Sequence, residues 1–508
     1  MSDFHVPRSL SGYLVSCLLF LVLGGCAVGP DFARPVAAVP DDWTSWRNAD
    51  DSLRLPVTTG EIMRPDWWRM FGDPVLDRLE QRAFEASPDL QSAALRVAQA
   101  RAQRDMTAAQ QGPDVNASSS ISRQRQSERS AGTRMIDAIG GSGNRGALAR
   151  LLAEPFTLYQ AGFDASWELD LWGRVRRSVE AADADVAQQA ALLELAWLSL
   201  ASDVARNYFE LRTTQDQIRL IRADIVALEE RTSLLETRVR SGVIDHLSLE
   251  QQRAELEALK AQLPGLLAQE GARANQIALL LGERPGTLRA ELAAVPETQA
   301  ALPDLALGLP SEVALRRPDI RAAEARLHSA TASIGVAKAN LYPSIRLGAR
   351  FGYESYLSGE FSDWGSRTWS IGPTLNLPLF DHGRRTSVVQ LRELQQQEAA
   401  IYYQQTVLRA WQEIDDTLSG YTADRQQYMT LGERARAARQ AYELARARYD
   451  GGLTDFIIVL DSQRGDIQAR RDLASSLGRM NTRFVTVNKV LGNVPPPSVD
   501  RPDGPSAP

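Results

Sequence analysis

The stretch Arg238-Val239-Arg240-Ser241-Gly242 decides the fold, because it recurs 210 residues later as Arg448-Tyr449-Asp450-Gly451-Gly452. Other pairs keep that shift, namely Gly162 with Gly372, Gly173-Arg174 with Gly383-Arg384, and Leu281-Gly282 with Leu491-Gly492. Earlier in the chain the shift is 230, from Pro88 to Pro318 and from Pro113 to Pro343. Solenoid repeats have periods of roughly 20–50 residues, so this is one architectural unit used twice. The first copy carries twenty extra residues, 230 minus 210, between Pro113 and Gly162.

Each copy contains a segment that predicts very long helices. Proline is absent for 108 residues after Pro155 and for 116 residues after Pro378. Both segments are rich in strong helix formers. After Gly173 the larger apolar residues recur at steps of three, four and seven, as in coiled coils. Arg174 to Arg240 and Arg384 to Asp450 each span 67 residues, or roughly 100 Å of helix. Two antiparallel helical hairpins, 174–282 and 384–491, are therefore predicted, with second helices that start near Asp245 and Thr454.

The two hairpins differ at one position of the returning helix. Pro264-Gly265 stands in the first copy where the second copy has Ala474-Ser475. Proline removes a backbone donor and clashes with the preceding turn. A kink or a break at Pro264 is therefore predicted.

Between the helices the apolar residues alternate with polar ones, as from Phe163 to Leu171 and from Ile345 to Tyr353. Such segments are typical of outer-membrane strands, although a half-buried strand of a soluble sheet has the same pattern. Four strands are predicted, near residues 113–124, 161–172, 343–354 and 369–380. Open sheet edges are not tolerated in lipid, so the chain is predicted to oligomerise through its strands. The twenty extra residues fall in the first hairpin loop, around 127–156, which is predicted to be exposed.

The chain begins with a predicted signal peptide, residues 1–25. Its apolar run from Leu10 to Leu23 is too short for a permanent membrane span. The sequence Leu23-Gly24-Gly25-Cys26 resembles a bacterial lipobox, in which Cys26 is lipidated and becomes the first residue. A signal peptide with an incidental cysteine is the alternative. Ala27 follows the cysteine rather than Asp, which indicates the outer membrane, and no transmembrane helix is predicted in the mature protein.

No motif for catalysis or for metal binding emerges from the sequence. The four histidines, His5, His246, His328 and His382, lack metal-ligand spacing, and there is no phosphate loop or nucleophile elbow. A net charge of −6 provides no basic patch for nucleic acid. The sequence predicts a conduit and not an enzyme, with no cofactor apart from the lipid on Cys26.

Several motifs together carry a family resemblance. They are the lipobox, Trp67-Trp68 with Phe71 and Asp73-Pro74, Arg317-Pro318-Asp319, and the glycines Gly242 and Gly452. This combination resembles the TolC-like, NodT-type outer-membrane lipoproteins of tripartite efflux pumps, from Cys26 to about Gly492. The resemblance implies an α+β membrane protein that forms a homotrimer, with a twelve-stranded barrel in the outer membrane and a twelve-helix periplasmic tunnel. It also implies a periplasmic adaptor and a proton-driven inner-membrane transporter as partners, and drugs or small solutes as cargo.

The resemblance and the repeat define the predicted segments. They are a lipidated N-terminal segment 26–86, repeat 1 at 87–286 with a β-hairpin at 113–172, a linker 287–316, repeat 2 at 317–492 with a β-hairpin at 343–380, and a Pro-rich disordered tail 493–508. The alternatives are a channel for type I protein secretion, or a periplasmic coiled-coil adaptor or scaffold lipoprotein. The coiled-coil alternative leaves the four amphipathic strands unexplained.

Two sites are predicted at the turns of the helical hairpins. By resemblance, the tips dock the adaptor through Arg240, Ser241, Gly242, Val243, Asp450, Gly451, Gly452 and Leu453. Leu453, Ile457 and Asp461 are spaced by four and are predicted to share one helix face, which in a trimer gives stacked apolar and acidic rings. The matching residues of the first copy are Val243, Leu247 and Gln251. These six residues are the predicted periplasmic gate; the alternative is that Leu453 and Ile457 pack on a neighbouring helix.

Overall fold

The computed structural model describes residues 27–35, 50–53, 65–129, 145–242, 245–293, 313 and 316–494. The predicted signal peptide, Cys26, Val243, most of the predicted linker and the tail from residue 495 lie outside the described residues. The tail was predicted to begin at 493, but Asn493 is buried and its side-chain amide donates to Asn488 Oδ1 at 2.7 Å. Ordered structure therefore extends at least to residue 494.

The described helices and strands follow the order of the repeat. The helices are α1 (Pro74–Ala86), α2 (Pro88–Ala108), α3 (Arg145–Leu152), α4 (Arg174–Arg240), α5 (His246–Leu280), α6 (Arg289–Ala293), α7 (Pro318–Ala339), α8 (Arg384–Asp450) and α9 (Phe456–Val490). The strands are β1 (Asp114–Gln124), β2 (Phe156–Leu169), β3 (Ser344–Ser355) and β4 (Arg367–Asn376). Helices α4 and α8 have 67 residues each, as predicted, and α5 and α9 have 35 each.

Helix α5 passes through Pro264 without a break, so of the predicted kink or break the break is wrong and the kink stays a prediction. Proline leaves the carbonyl of Lys260 without its helical donor. Pro264 and Gly265 both lie on an exposed stretch of the helix, where water can bond that carbonyl. The proline is therefore tolerated, and it does not shorten α5 relative to α9.

The chain divides into two compact units, and each unit combines segments of both repeats. The first comprises residues 1–33, 100–186 and 327–399, and the second comprises 34–99, 187–326 and 400–508. Compact packing therefore does not follow the boundary between the repeats in the sequence.

The first unit contains an antiparallel sheet with strand order β1-β2-β3-β4. Its two hairpins have the same register. In the first hairpin Asp114 pairs with Ser166. In the second, Ser344 pairs with Asn376, and these two residues correspond to Asp114 and Ser166 after shifts of 230 and 210. Strand β2 begins at Phe156, earlier than the predicted 161, because it pairs with β1 as far as Gln124. Strand β4 ends at Asn376, before the predicted 380, since its partner β3 begins at Ser344. The twenty-residue insertion includes α3.

The second unit is built around an aromatic core. Trp67, Phe71, Tyr208 and Phe484 are buried, and the Phe71 ring lies 4.5 Å from Phe209 and 5.3 Å from Phe484. Asp73 caps α1, accepting from Val75 N at 2.9 Å, and also accepts from the Tyr208 hydroxyl. Burial of each large side chain contributes on the order of 1.5–3 kcal/mol. The Trp67-Trp68 motif with Asp73-Pro74 therefore has a structural role in this core.

Two buried ionisable residues of the second unit differ in their hydrogen bonding. Arg317 donates to Asp319 at 2.7 Å, to Glu413 at 2.8 Å and to the Val490 carbonyl at 2.8 Å. Burial lowers its pKa, but the bonds to Asp319 and Glu413 outweigh burial and raise the pKa above its ordinary value. Glu80 is fully buried, and no hydrogen bond reaches its carboxylate within the described part of the chain. Burial raises the pKa of Glu80 well above its ordinary value, which favours the neutral acid.

Candidate functional site

Each helical hairpin turns at a glycine in the left-handed conformation, with φ of 75° at Gly242 and 71° at Gly452. At the second tip, Gly452 N donates to Tyr449 O at 2.9 Å and Leu453 N donates to Arg448 O at 2.8 Å. These two bonds form a Schellman motif, which satisfies carbonyls at the end of α8. The described tip residues are all exposed, namely Arg240, Ser241, Gly242, Asp450, Gly451, Gly452 and Leu453.

The two tips are held together within the second unit by apolar and aromatic contacts. Leu235, Leu249, Phe456, Val459 and Leu460 form one buried cluster. The Arg238 guanidinium donates to the Tyr449 hydroxyl at 2.9 Å and lies 5.5 Å from the centre of its ring. The two hairpins therefore present their tips as one surface rather than as independent loops.

The predicted gate residues do not all lie on one helix face, and that part of the prediction is wrong. Leu453 belongs to the turn, because α9 begins only at Phe456 after the N-cap residue Asp455. Ile457 and Asp461 lie one turn apart on α9 and are both exposed. In the first copy, Leu247 is exposed and Gln251 is half-buried on α5. Leu453 is 73% exposed and Ile457 40% exposed, so the two apolar gate residues of the second copy remain uncovered among the described residues.

A layer of buried charge that the sequence analysis missed connects the two hairpins further along the helices. The Asp466 side chain on α9 is only 2% exposed and accepts from Arg470 Nε at 3.2 Å. Arg470 also donates to Asp224 of α4 at 2.8 Å. An Asp and an Arg four residues apart are usual on a solvated helix face. The repeat distinguishes this pair from a solvated one, because Asp466 corresponds to the buried Leu256 of the first copy.

The sheet of the first unit has one apolar and one polar face. Phe163, Phe351 and Trp369 are opposite one another on successive strands, and all three are exposed. On the other face, Asp164, Arg350 and Ser370 form the neighbouring row. Exposed apolar side chains continue along the first face, at Val115, Ile121, Trp167, Leu347, Ile371 and Leu375. Strands β1 and β4 each have one edge that no other strand of the described residues pairs with.

The described residues nearest to Cys26 pack against the start of α4. The Val28 amide donates to the Trp172 carbonyl at 3.1 Å, and Asp31 accepts from Arg177 at 2.5 Å. The Phe32 ring stacks on His328 with centroids 4.3 Å apart. The chain immediately after Cys26 is therefore held beside the junction between β2 and α4.

The described residues offer neither a membrane-spanning helix nor a metal site. Within the part of the chain that the structure describes, every helix is too short or too polar to cross a membrane. No group of three or more His, Cys, Asp or Glu side chains among the described residues is placed to hold a metal ion.

Comparison with known proteins identifies the family. A family model described as outer membrane efflux protein matches residues 79–283 and 309–493. The chain belongs to the outer membrane efflux protein family. It is 31% identical over 456 residues to the outer membrane protein OprJ of Pseudomonas aeruginosa, with 89% of each chain covered. It is 29% identical over 462 residues to the probable outer membrane lipoprotein SilC of Salmonella typhimurium, with 89% of this chain and 92% of SilC covered.

The solved structures agree with the family. The structure of the outer-membrane channel OprN matches with a TM-score of 0.81 and 29% identity, covering 92% of this chain and 99% of OprN. The chain is thus an outer-membrane component of an efflux system and resides in the outer membrane, and its fold combines a small sheet with the long helices of such channels. The family is one of efflux channels rather than of enzymes. The predicted family, location and main function are confirmed.

Proposed function

We propose that three copies of this chain form one passive conduit, in which twelve strands close a barrel and the helical hairpins line a tunnel. The observation that carries the proposal is the sheet, which has an exposed apolar face across four strands and two edges that stay unpaired among the described residues. Lipid tolerates an apolar face but not an unpaired strand edge, so closure by further copies satisfies both requirements. The cargo is drugs or small solutes, received from a periplasmic adaptor and a proton-driven inner-membrane transporter.

The conduit is tested with the purified, detergent-solubilised protein. Native mass spectrometry should give a trimer, and planar bilayers containing that trimer should show single-channel currents that disappear after heat dissociation. In a strain that lacks the chain, its return should restore drug resistance. A monomer without conductance contradicts the conduit, and restored export of a protein without restored drug resistance favours type I secretion instead.

The lipid is proposed to sit on Cys26. The support is the lipobox, the naming of SilC as a probable lipoprotein, and the packing of residues 27–32 beside the end of β2. Cys26→Ser should abolish incorporation of radiolabelled palmitate while the barrel keeps part of the protein in the outer membrane. Undiminished label in Cys26→Ser protein would show that Cys26 is not the acceptor.

The tips are proposed to dock the adaptor. Their support is the exposure of both turns and the contacts that join them into one surface. Gly452→Trp should abolish drug resistance without loss of trimer. Gly452→Ala is the matched control, because it places the same strain of about 1–2 kcal/mol on the left-handed backbone without the bulk. Equal resistance in both variants, together with full resistance in Gly242→Trp and Gly242→Ala, would remove the docking surface from the tips.

The gate is proposed at Leu453, Ile457 and Asp461, with Val243, Leu247 and Gln251 contributed by the first copy. The exposed apolar side chains provide the barrier, and only the second copy provides a carboxylate at the third position. Leu453→Ala with Ile457→Ala should raise single-channel conductance. Asp461→Asn should reduce cation preference at little change in size, whereas Gln251→Ala should not. Wild-type conductance and selectivity in intact trimers of all variants would place the constriction elsewhere.

A further inference from the structure

The joint between β2 and β3 is the place where the two repeats meet within one sheet. Leu169 at the end of β2 pairs with Ile345 at the start of β3, and both are half-buried. Just beyond the strands, the Trp172 ring stacks on Tyr342 at 4.7 Å and its Nε1–H donates to the Pro343 carbonyl at 2.8 Å. This joint is closed by strand pairing and by an aromatic contact.

The corresponding ends of β4 and β1 have no strand partner within the described part of the chain. Leu379 and Phe380, which follow β4, are 86% and 80% exposed, and Val115 at the start of β1 is 61% exposed. Under the repeat, Leu169 shifted by 210 is Leu379, and Ile345 shifted back by 230 is Val115. The residues that form the closed joint therefore have their counterparts at the two open edges.

The repeat relates the strand register of one pair to that of another within the chain, so it can also predict the register between two copies. The pairing of β1 with β2 becomes that of β3 with β4 when the shifts of 230 and 210 are applied, without any slip. A slip of one residue would turn every apolar side chain to the other face. The same operation on the β2–β3 pairing gives a register for β4 against β1 that keeps the odd-numbered apolar residues on one face.

We propose that residues 377–380 of one copy pair with the start of β1 of a second copy in the register of the internal joint. Leu379 then lies opposite Val115 of the partner subunit, and Leu375 lies opposite Ser119 of the partner subunit, as Ala165 lies opposite Ala349 within the chain. The proposal rests on the proposed trimer and adds which residues close it. It also extends β4 to Leu379, matching the end of β2 at Leu169.

The transfer ends at His382. This residue occupies the place of Trp172 but has a φ of 53°, the left-handed region, which Trp172 does not share. Its ring packs on Phe380 of its own chain at 4.5 Å. The aromatic contact of the internal joint is therefore not copied, and Leu379 and Phe380 provide the apolar cover at the joint between copies.

Cysteine pairs test the register directly. Residues directly opposite on antiparallel strands have Cα atoms about 4.5–5.5 Å apart, within the span of about 4.4–6.8 Å that a disulfide bridges. Leu379→Cys with Val115→Cys, and Leu375→Cys with Ser119→Cys, should each give disulfide-linked trimers on oxidation. The swapped pairs, Leu379→Cys with Ser119→Cys and Leu375→Cys with Val115→Cys, use the same substitutions but are displaced by four residues, about 13 Å. They should not cross-link.

The possible results distinguish an incorrect register at the joint from an incorrect trimer. Native mass spectrometry of the reduced variants establishes the trimer first; a monomeric wild type rejects the conduit itself. Trimers in which the swapped pairs cross-link as well as the matched ones, or in which neither does, overturn the register while leaving the trimer. The unaltered chain, with Cys17 and Cys26 as its only cysteines, controls for background.

A second variant guards against cysteine substitutions that impair assembly. Benzoylphenylalanine in place of Phe380 preserves an aromatic side chain and cross-links to its neighbour under light. The captured peptide should include residues 112–117 of a second copy. Capture of the same chain alone, or of another region of the second copy, would overturn the proposed joint.

Discussion

The helical hairpin of the first repeat and that of the second have equal lengths but different interiors. Helices α4 and α8 each have 67 residues, and α5 and α9 each have 35. At matched positions of the repeat, however, the residues differ: Leu256 of α5 corresponds to Asp466 of α9, and Lys260 corresponds to Arg470. Leu256 packs in an apolar cluster, whereas Asp466 and Arg470 bring charge into the layer between the hairpins.

The difference shows what the duplication preserved. The boundaries are set by glycines and capping residues, which recur in both copies, so the lengths have stayed equal. The side chains between them were free to diverge as long as each hairpin packed against its neighbour. A trimer of such chains has six similar hairpins of two kinds, and only the second kind contributes the buried Asp466 to the charge layer that the Asp224 of the first kind completes.

The largest effect is expected at Arg470. Arg470→Ala removes the partner of Asp224 and the nearer partner of Asp466, which keeps Arg439 at 3.6 Å; the two carboxylate side chains are 8% and 2% exposed. Removing one partner of a fully buried ion pair costs about 3–5 kcal/mol; because Arg470 is 29% exposed and Asp466 keeps Arg439, the loss should lie near the lower end of that range. Urea unfolding of the solubilised protein, followed by circular dichroism, measures the loss.

Lys260→Ala is the matched control in the first repeat. Lys260 pairs with Glu229 at 3.0 Å and with Glu257 at 3.3 Å on the exposed side of α5. Exposed pairs contribute little, so the unfolding midpoint should not move measurably. Equal unfolding midpoints for the two variants would show that the ion pairs of Arg470 contribute no more to stability than exposed ion pairs do.

The sequence predicted the long elements well and their local details less well. The bounds of α4 and α8 follow from glycine positions and from composition, both of which are local. The placement of Leu453 failed because a spacing of four residues does not say where a helix begins; the cap at Asp455 does. The buried Asp466 and its half-buried partner Arg470 were missed because their spacing is the same as that of a solvated ion pair.

The strand ends were harder to predict for a different reason. Where a strand ends depends on its partner, and β2 begins at Phe156 because β1 continues to Gln124. Strand β4 stops at Asn376 although alternation continues to Leu379, since β3 offers no further partner. The alternating pattern of one strand does not show how far its partner strand extends, so it does not predict where the strand ends.

A smaller effect is expected where the copies differ at Pro264. Ala474→Pro places a proline at the matched, half-buried position of α9, next to Ser475, which accepts from Gln217 at 2.9 Å. The lost hydrogen bond and the clash should cost about 3 kcal/mol. Pro264→Ala should stabilise the protein by about 1–3 kcal/mol, because alanine restores the donor in a helix that is already continuous.

Both proline variants are measured by the same urea unfolding. A loss of stability in Pro264→Ala would mean that the first hairpin needs the proline for its packing. A tolerated Ala474→Pro would mean that water reaches the α9 backbone as it reaches that of α5.

The smallest effect is expected at the N-caps of the returning helices. Asp245 and Asp455 are matched residues, but only the Asp245 side chain makes a capping bond, accepting from Ser248 N at 3.1 Å. Among the described residues, the Asp455 side chain makes no such bond. Asp245→Ala should therefore cost about 1 kcal/mol, and Asp455→Ala clearly less, since loss of a capping bond costs about 0.5–2 kcal/mol.

Asparagine separates the capping bond from the charge at these two positions. Both aspartates lie near the positive end of a helix dipole, which favours a negative charge in either copy. Asp245→Asn keeps an acceptor for Ser248 N and loses only the charge, so its stability should lie between those of the wild type and Asp245→Ala. If Asp245→Ala and Asp455→Ala lower the unfolding midpoint equally, the dipole rather than the capping bond is what the two aspartates share. The first hairpin would then begin its returning helix no more firmly than the second.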